Sequence, residues 1–353
     1  MDLKRLPYKC FDFRRLLPRD RNSLYLIIVF AVLFGIMSLL NPQRFLTLIN
    51  MQSMASQISD LSVMSLAMFV VIMTGNINLS VVSSSNLSAI ICAMVANGTL
   101  MSGAIPEGAP RILATIAMAL FIGLLCGVLN GIFIAGLRLD SILVTVATMS
   151  FYEGISILLT GGKTVMGIPE QLLRFGTGSV LNIPNIIWLA VLCYIMVALF
   201  FNVTTLGEQT KLSGANRTAN LYSGGNNFKT VFSSFAISGL LCGVSGIIVY
   251  TKTGVAVVDY GVSFINIILL VVLLGGASMN GGFGKVSNIF IAALSVQIIS
   301  SGMNIGGFSV FFNQVLWGVL LIFVVVINTE VAAKGMKQLI NKIKATRQNA
   351  RNS

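Results

Sequence analysis

Gly207 to Lys229 reads GEQTKLSGANRTANLYSGGNNFK, the longest polar interval in an otherwise oily chain. Long apolar runs stand on both sides of it, and its polar groups are too many to lie unpaired in lipid. Its charges are Glu208, Lys211, Arg217 and Lys229, so it leans positive. Asn216 to Tyr222 holds no Gly or Pro, which predicts one short helix with Ser213 or Asn216 as its N-cap. Gly224 and Gly225 stop that helix. A compact polar helix between membrane spans is a handle that something soluble can grip.

Outward from the handle, the composition fixes the class. The chain has 353 residues, of which 56% are hydrophobic and 10% charged, with mean hydropathy +0.89. Soluble domains carry about 25% charged residues, so folding in water is excluded. A β-barrel needs short alternating segments of about ten residues, whereas runs such as Leu24 to Leu40 are continuous. The fold class is therefore an all-α polytopic membrane protein. No polar interval is long enough for a sizeable soluble domain.

About ten spans are expected. They are Leu24–Leu40, Asn50–Thr74, a third ending with Ile90–Ala96, Ile112–Leu137, Ser141–Thr160, Asn185–Asn202, Thr230–Tyr250, Ser263–Leu274, Asn288–Ser301 and Ser309–Asn328. Residues 1–22 and 331–353 form basic tails around a transmembrane domain over 23–330, with a cytoplasmic segment at 207–229. An even number of spans puts both termini on one side. With the tails inside, the inner face carries 18 of the 23 basic residues and the outer face only Arg44, Arg111, Lys163, Arg174 and Lys252. That bias places both termini and the handle in the cytoplasm. The net charge of +12 is thus topogenic, and no folded basic face points to nucleic acid. The N-terminal run lacks a small-residue cleavage site and is expected to stay as the first span.

The absence of His removes His triads, His metal ligands and His proton relays. Cys10, Cys92, Cys126, Cys193 and Cys242 show no metal-ligand spacing, and no disulfide framework is implied. Asp60 is one of few acids in or near a span, so it is either a functional carboxylate or a residue near a cavity or span end that stays wet. Thr74 to Ser88, TGNINLSVVSSSNLS, holds Asn76, Asn78, Ser80 and Asn86 at membrane depth. It reads as a broken helix lining a path for a polar, uncharged solute, or as Ser/Asn packing between helices. Gly123, Gly127, Gly131 and Ala135 form a small-residue seam. Gly275, Gly276, Gly281, Gly282 and Gly284 lack P-loop spacing and suit a tight turn with close helix approach.

Three blocks resemble a known family, the membrane permease subunits of bacterial ABC importers for ribose and related monosaccharides. GNINLSV (Gly75 to Val81) is similar to the family's Gly-Gly-Ile-Asp-Leu-Ser-Val block. GANRTANLYSGG (Gly214 to Gly225) is similar to Gly-x-Asn-x-x-Ala-x-x-x-Ser-Gly, the segment that engages the ATPase. LLGGASMNGGFGKVSN (Leu273 to Asn288) is similar to Leu-Gly-Gly-x-Ser-x-x-Gly-Gly-x-Gly. The blocks keep their order and spacing from about Leu24 to Asn328. Asn78 stands where the family usually has Asp, and Asn220 where a second Ala is usual.

The resemblance implies a permease subunit in the bacterial inner membrane that is not an enzyme. Its partners would be an ABC ATPase subunit, a periplasmic or lipoprotein sugar-binding protein, and a second permease subunit in a homo- or heterodimer, all within membrane lipid. No cofactor is expected on this chain, since ATP and Mg would sit on the ATPase. Gly214, Asn216, Ala219, Ser223 and Gly224 would couple the ATPase to the pathway. The alternative is a self-sufficient ion-coupled secondary transporter, for which Asp60, Glu153 and Asp259, each near an expected span end, are the intramembrane acids on offer. A membrane-embedded enzyme is disfavoured because no paired acids or thiol–base pair are visible.

Overall fold

The computed structural model describes residues 21–100, 106 and 108–328. The two basic tails lie outside the described residues, apart from Arg21 and Asn22. Fourteen α-helices run through the described chain: α1 (Arg21–Leu40), α2 (Pro42–Phe45), α3 (Leu48–Ile72), α4 (Val81–Ala96), α5 (Ala109–Gly131), α6 (Ser141–Thr160), α7 (Glu170–Thr177), α8 (Asn185–Val203), α9 (Thr205–Ala215), α10 (Arg217–Tyr222), α11 (Asn227–Thr253), α12 (Phe264–Leu274), α13 (Val286–Ile305) and α14 (Val310–Asn328). A π-helical turn, Ile132–Gly136, extends α5. Four two-residue strands pair as β1 (Val165–Met166) with β4 (Val255–Ala256) and β2 (Ser179–Val180) with β3 (Ile183–Pro184).

Seven helices are long and apolar enough to cross a membrane: Ser23–Leu40 in α1, α3, α5 with its π-turn, α6, α8, α11 and α13. The chain is a polytopic helical membrane protein. Three shorter apolar stretches, α4, α12 and Val310–Val326 in α14, fall where the remaining spans were expected. α12 has 11 residues, and at about 1.5 Å per residue it spans only about half of a hydrocarbon core.

The helices sort by burial. α3 is the axis: every residue from Ile58 to Ile72 is buried. α11 packs against α3, α4 and α5. The peripheral helices turn apolar side chains outward, among them Leu39, Leu158 and Phe311, a surface suited to lipid rather than water. The sequence seam works as expected and finds its match on α11. A Cβ at Gly239 would stand 2.7 Å from the Gly127 Cα, and one at Gly123 2.7 Å from the Gly243 Cα. Only glycine on both helices allows two backbones to cross this closely.

Four local expectations are corrected. The handle is two helices, because Thr204 caps a first one by accepting from the Gly207 N–H and nothing interrupts it before Ala215. The expected loop from Gly161 to Pro184 contains α7 and three short strands. Asp60 is not wet: it sits midway along α3 with 1% exposure, level with the C-terminal end of α11. Glu153 likewise lies well inside α6, whereas Asp259 is exposed in the loop before α12.

Candidate functional site

The three sequence blocks meet at one point. α3 ends at Ile72 and α4 begins at Val81, leaving Met73 to Ser80 as a break between the two helices. Gly75 at this break has φ +74, and a Cβ there would stand 2.9 Å from the Asn280 carbonyl oxygen. Gly281, with φ +88, is 2.8 Å (ideal Cβ) from the Gly75 Cα and 2.9 Å from the Gly214 Cα. Gly282 donates its N–H to the Met73 carbonyl at 3.0 Å, and its own Cβ would press on Ala215. Gly214 in α9 thus touches the break and the glycine turn together. Segments more than 60 residues apart in sequence are held backbone to backbone, which side chains would forbid. Gly275 packs on Ile289, Gly276 (φ +79) shapes the turn, and Gly284 (φ +155) lies against Phe69 and Met73.

From this junction α9 leads to α10. Asn216 caps α10, its side-chain oxygen accepting from the Thr218 and Ala219 N–H groups at 2.9 and 3.1 Å. Ala219 carries the turn onward, its carbonyl accepting from the Ser223 hydroxyl and N–H. Gly224 ends the helix at φ +79 with open space around it. Asn227, unmarked by sequence reasoning, is the hub: its side-chain oxygen accepts from Asn220 at 2.6 Å and Ser213 at 3.3 Å, and its amide donates to the Arg217 carbonyl at 3.0 Å. The signal was an Asn at the first position of a long apolar helix. Asn220, fully buried, therefore ties α10 to α11 together with the Arg217 carbonyl. The tip stays free, with Tyr222 90% exposed and Leu221 57%. Lys211 lies over the Phe201 ring and donates to the Phe201 carbonyl at 3.0 Å. Burial lowers its pKa, partly opposed by nearby Glu208.

The polar residues of the break form a network but do not share one cavity. Asn78 accepts from the Ser80 N–H and hydroxyl at 3.1 and 2.8 Å and donates to Ser238 on α11 at 3.1 Å. Asn130 on α5 donates to the Ser80 hydroxyl oxygen at 2.8 Å, and Tyr152 on α6 donates to the Cys126 carbonyl at 3.0 Å and toward Asn130 at 3.4 Å. Asn130 was missed, although a lone amide in an apolar span was its signal. Asn76 donates to Thr74 and faces a cleft beside α10. Asn86 donates to the Val258 and Tyr260 carbonyls, both at 2.8 Å, and lines a separate small cavity of about 30 Å³ with Glu153 and Ser156.

Beyond that cavity, Asp60 is paired. Lys252 on α11 donates to one carboxylate oxygen at 2.9 Å and the Tyr260 hydroxyl to the other at 2.8 Å. A buried carboxylate so compensated is a strut between α3, α11 and the loop before α12.

Comparison with known proteins places this architecture. The chain is similar to the L-arabinose transport system permease protein AraH of Escherichia coli (strain K12), 29% identical with 91% of this chain and 93% of that protein covered. It is similar to the ribose import permease protein RbsC of Haemophilus influenzae, 28% identical with 92% and 97% covered. The RbsC of Bacillus subtilis (strain 168) is also 28% identical, with 86% and 91% covered. No solved structure matches the chain. Residues 50–325 match the family described as branched-chain amino acid transport system / permease component, and the chain belongs to that permease family.

Proposed function

We propose that this chain is the transmembrane subunit of an ATP-driven importer in the bacterial inner membrane and carries a monosaccharide or related polar, uncharged solute. The single observation that supports this most is the meeting of Gly75, Gly214 and Gly281. It joins an exposed polar tip, α10, to the broken helix α3–α4 through backbone alone. A push on Tyr222 and Leu221 passes along α10, braced by Asn220 and Asn227, into α9, and from Gly214 to the break by backbone contact.

In this reading the permease domain covers 23–330 and makes ten crossings, with α4, α12 and α14 completing the seven longer ones. Both tails and the 207–229 segment face the cytoplasm. A separate ATPase docks on α10 and holds the ATP and Mg. A sugar-binding protein delivers solute outside, and a second permease subunit completes the pathway. The chain is not an enzyme. Near-full-length likeness to arabinose and ribose permeases favours a sugar over the amino acid of the family description. Uncharged Asn76, Asn78, Ser80 and Asn86 suit hydroxyls, which need paired donors and acceptors but no counter-charge. An ion-coupled carrier needs free intramembrane charge; Asp60 is already neutralised by Lys252 and Asp259 is exposed in a loop, which leaves such a carrier Glu153 alone of the three acids.

Reconstitution in proteoliposomes tests the proposal with L-arabinose and D-ribose as probes. Uphill uptake is expected only with a co-purified ATPase and ATP. Accumulation by the chain alone under a proton or sodium gradient would sink it.

A further inference from the structure

An open cleft of about 560 Å³ lies between α10, the end of α5 and the start of α11. Its basic lining residues are Arg138 and Arg217, and no acidic side chain lines it. Neither guanidinium is ion-paired among the described residues, unlike Lys252 with Asp60 or Arg174 with Glu170. Arg138 is held at φ +57, a backbone region that residues with side chains seldom occupy. The polar floor is Asn76, Asn226 and Asn227, while Ile134, Leu139 and Phe228 supply apolar walls.

This combination is specific in its chemistry. Each unpaired guanidinium offers a planar fork of donors that suits phosphate oxygens. Ile134, Leu139 and Phe228 offer apolar surface beside the guanidinia for the first carbons of a chain. Arg138 lies two residues past the last turn of a candidate span, so in the topology proposed above the cleft stands at the boundary between hydrocarbon and water. Basic pockets between spans at the cytoplasmic face take anionic headgroups.

We propose that the cleft holds the phosphate headgroup of an anionic phospholipid from the inner leaflet. Because Arg217 opens α10, the headgroup would lie between the coupling helix and the α5–α6 turn, and the lipid would set how far α10 can swing. The inference rests on the topology proposed above for the leaflet, but not on transport.

Native mass spectrometry of the detergent-purified chain tests it, with phosphatidylglycerol, phosphatidylcholine and inorganic phosphate as probes. Phosphatidylglycerol is expected to be retained in preference to phosphatidylcholine. The double variant Arg138→Gln with Arg217→Gln should lower that retention about 30-fold, the combined effect of two basic residues at an anionic surface. Arg174→Gln should leave it unchanged. The paired Arg138→Lys and Arg217→Lys variant, which keeps charge and exposure, should recover most of it should the glutamine pair fold poorly. Equal retention in wild type and double variant overturns the proposal, as does equal retention of phosphatidylcholine. Displacement of the lipid by millimolar inorganic phosphate would assign the cleft to a free anion and also overturn it. Unchanged lipid retention with loss of a co-purified ATPase would reassign the cleft to a protein contact. The topology is read separately: an Arg217→Cys variant labelled from outside the cell refutes the orientation while leaving the binding result intact.

Discussion

Replacing Gly214 by Ala adds one methyl group where α9 crosses the break and the glycine turn. That methyl would overlap the Met73 carbonyl oxygen and stand 2.5 Å from the Gly282 nitrogen and 3.1 Å from the Gly281 carbonyl carbon. All three are backbone atoms, and the Gly282–Met73 hydrogen bond of 3.0 Å clasps two of them together, so no rotamer change relieves the contact. Overpacking of this kind costs about 1–3 kcal/mol. Alanine returns about 0.5–1 kcal/mol as the better helix former within α9. The net penalty is roughly 0.5–2 kcal/mol, charged only to the state in which the three segments touch. An equilibrium between access states would shift by about 2- to 30-fold. The assay is ATP-driven uptake of L-arabinose and D-ribose at matched membrane expression. Gly214→Ala should insert normally and transport at least twofold more slowly. Gly318→Ala, with nothing within 4 Å of its added carbon, should behave as wild type. Wild-type uptake by Gly214→Ala would refute the claim that the glycine junction carries motion.

Other outcomes follow from the same geometry. Gly224→Val places a β-branched residue at φ +79 in open space, costing about 1–2 kcal/mol or more from backbone strain alone; ATPase activity should persist while uptake falls, and normal uptake would count against the α10 tip as the handle. Lys252→Met leaves Asp60 charged, buried and without its cation, a loss of about 3–5 kcal/mol visible as a lower thermal midpoint in detergent. Adding Asp60→Leu to that variant should recover most of the loss, and no recovery would mean the pair is not the cause. Asn76→Ala and Ser80→Ala should each slow uptake; unchanged solute affinity and rate in both would remove them from the pathway.

Much of this was legible in residue order. Apolar runs of span length need no partner to declare themselves, because lipid demands helices with their backbone paired internally. The bounds of α6 fell where expected, with Asp140 capping it through the Ile142 and Leu143 N–H groups, and Gly224 ended α10 as its left-handed φ allows. The α9 helix was obscured because Gly207 and Gly214 look like breakers, whereas each is there for contact: Gly207 against Phe200 and Phe201, Gly214 against the junction. The burial of Asp60 was not legible because its cation is 192 residues away and its cover comes from α11 and the loop before α12.

By itself, then, the sequence determined a helical membrane chain, the polar segment it presents, and the three glycine blocks, since composition and local spacing are properties of neighbours along the chain. Only the tertiary structure decided that Gly75, Gly214 and Gly281 share one point, that Lys252 neutralises Asp60, and that Arg138 and Arg217 flank one cleft. These are meetings across the bundle. They are set by which helices can approach closely, and that depends on both faces of every contact at once.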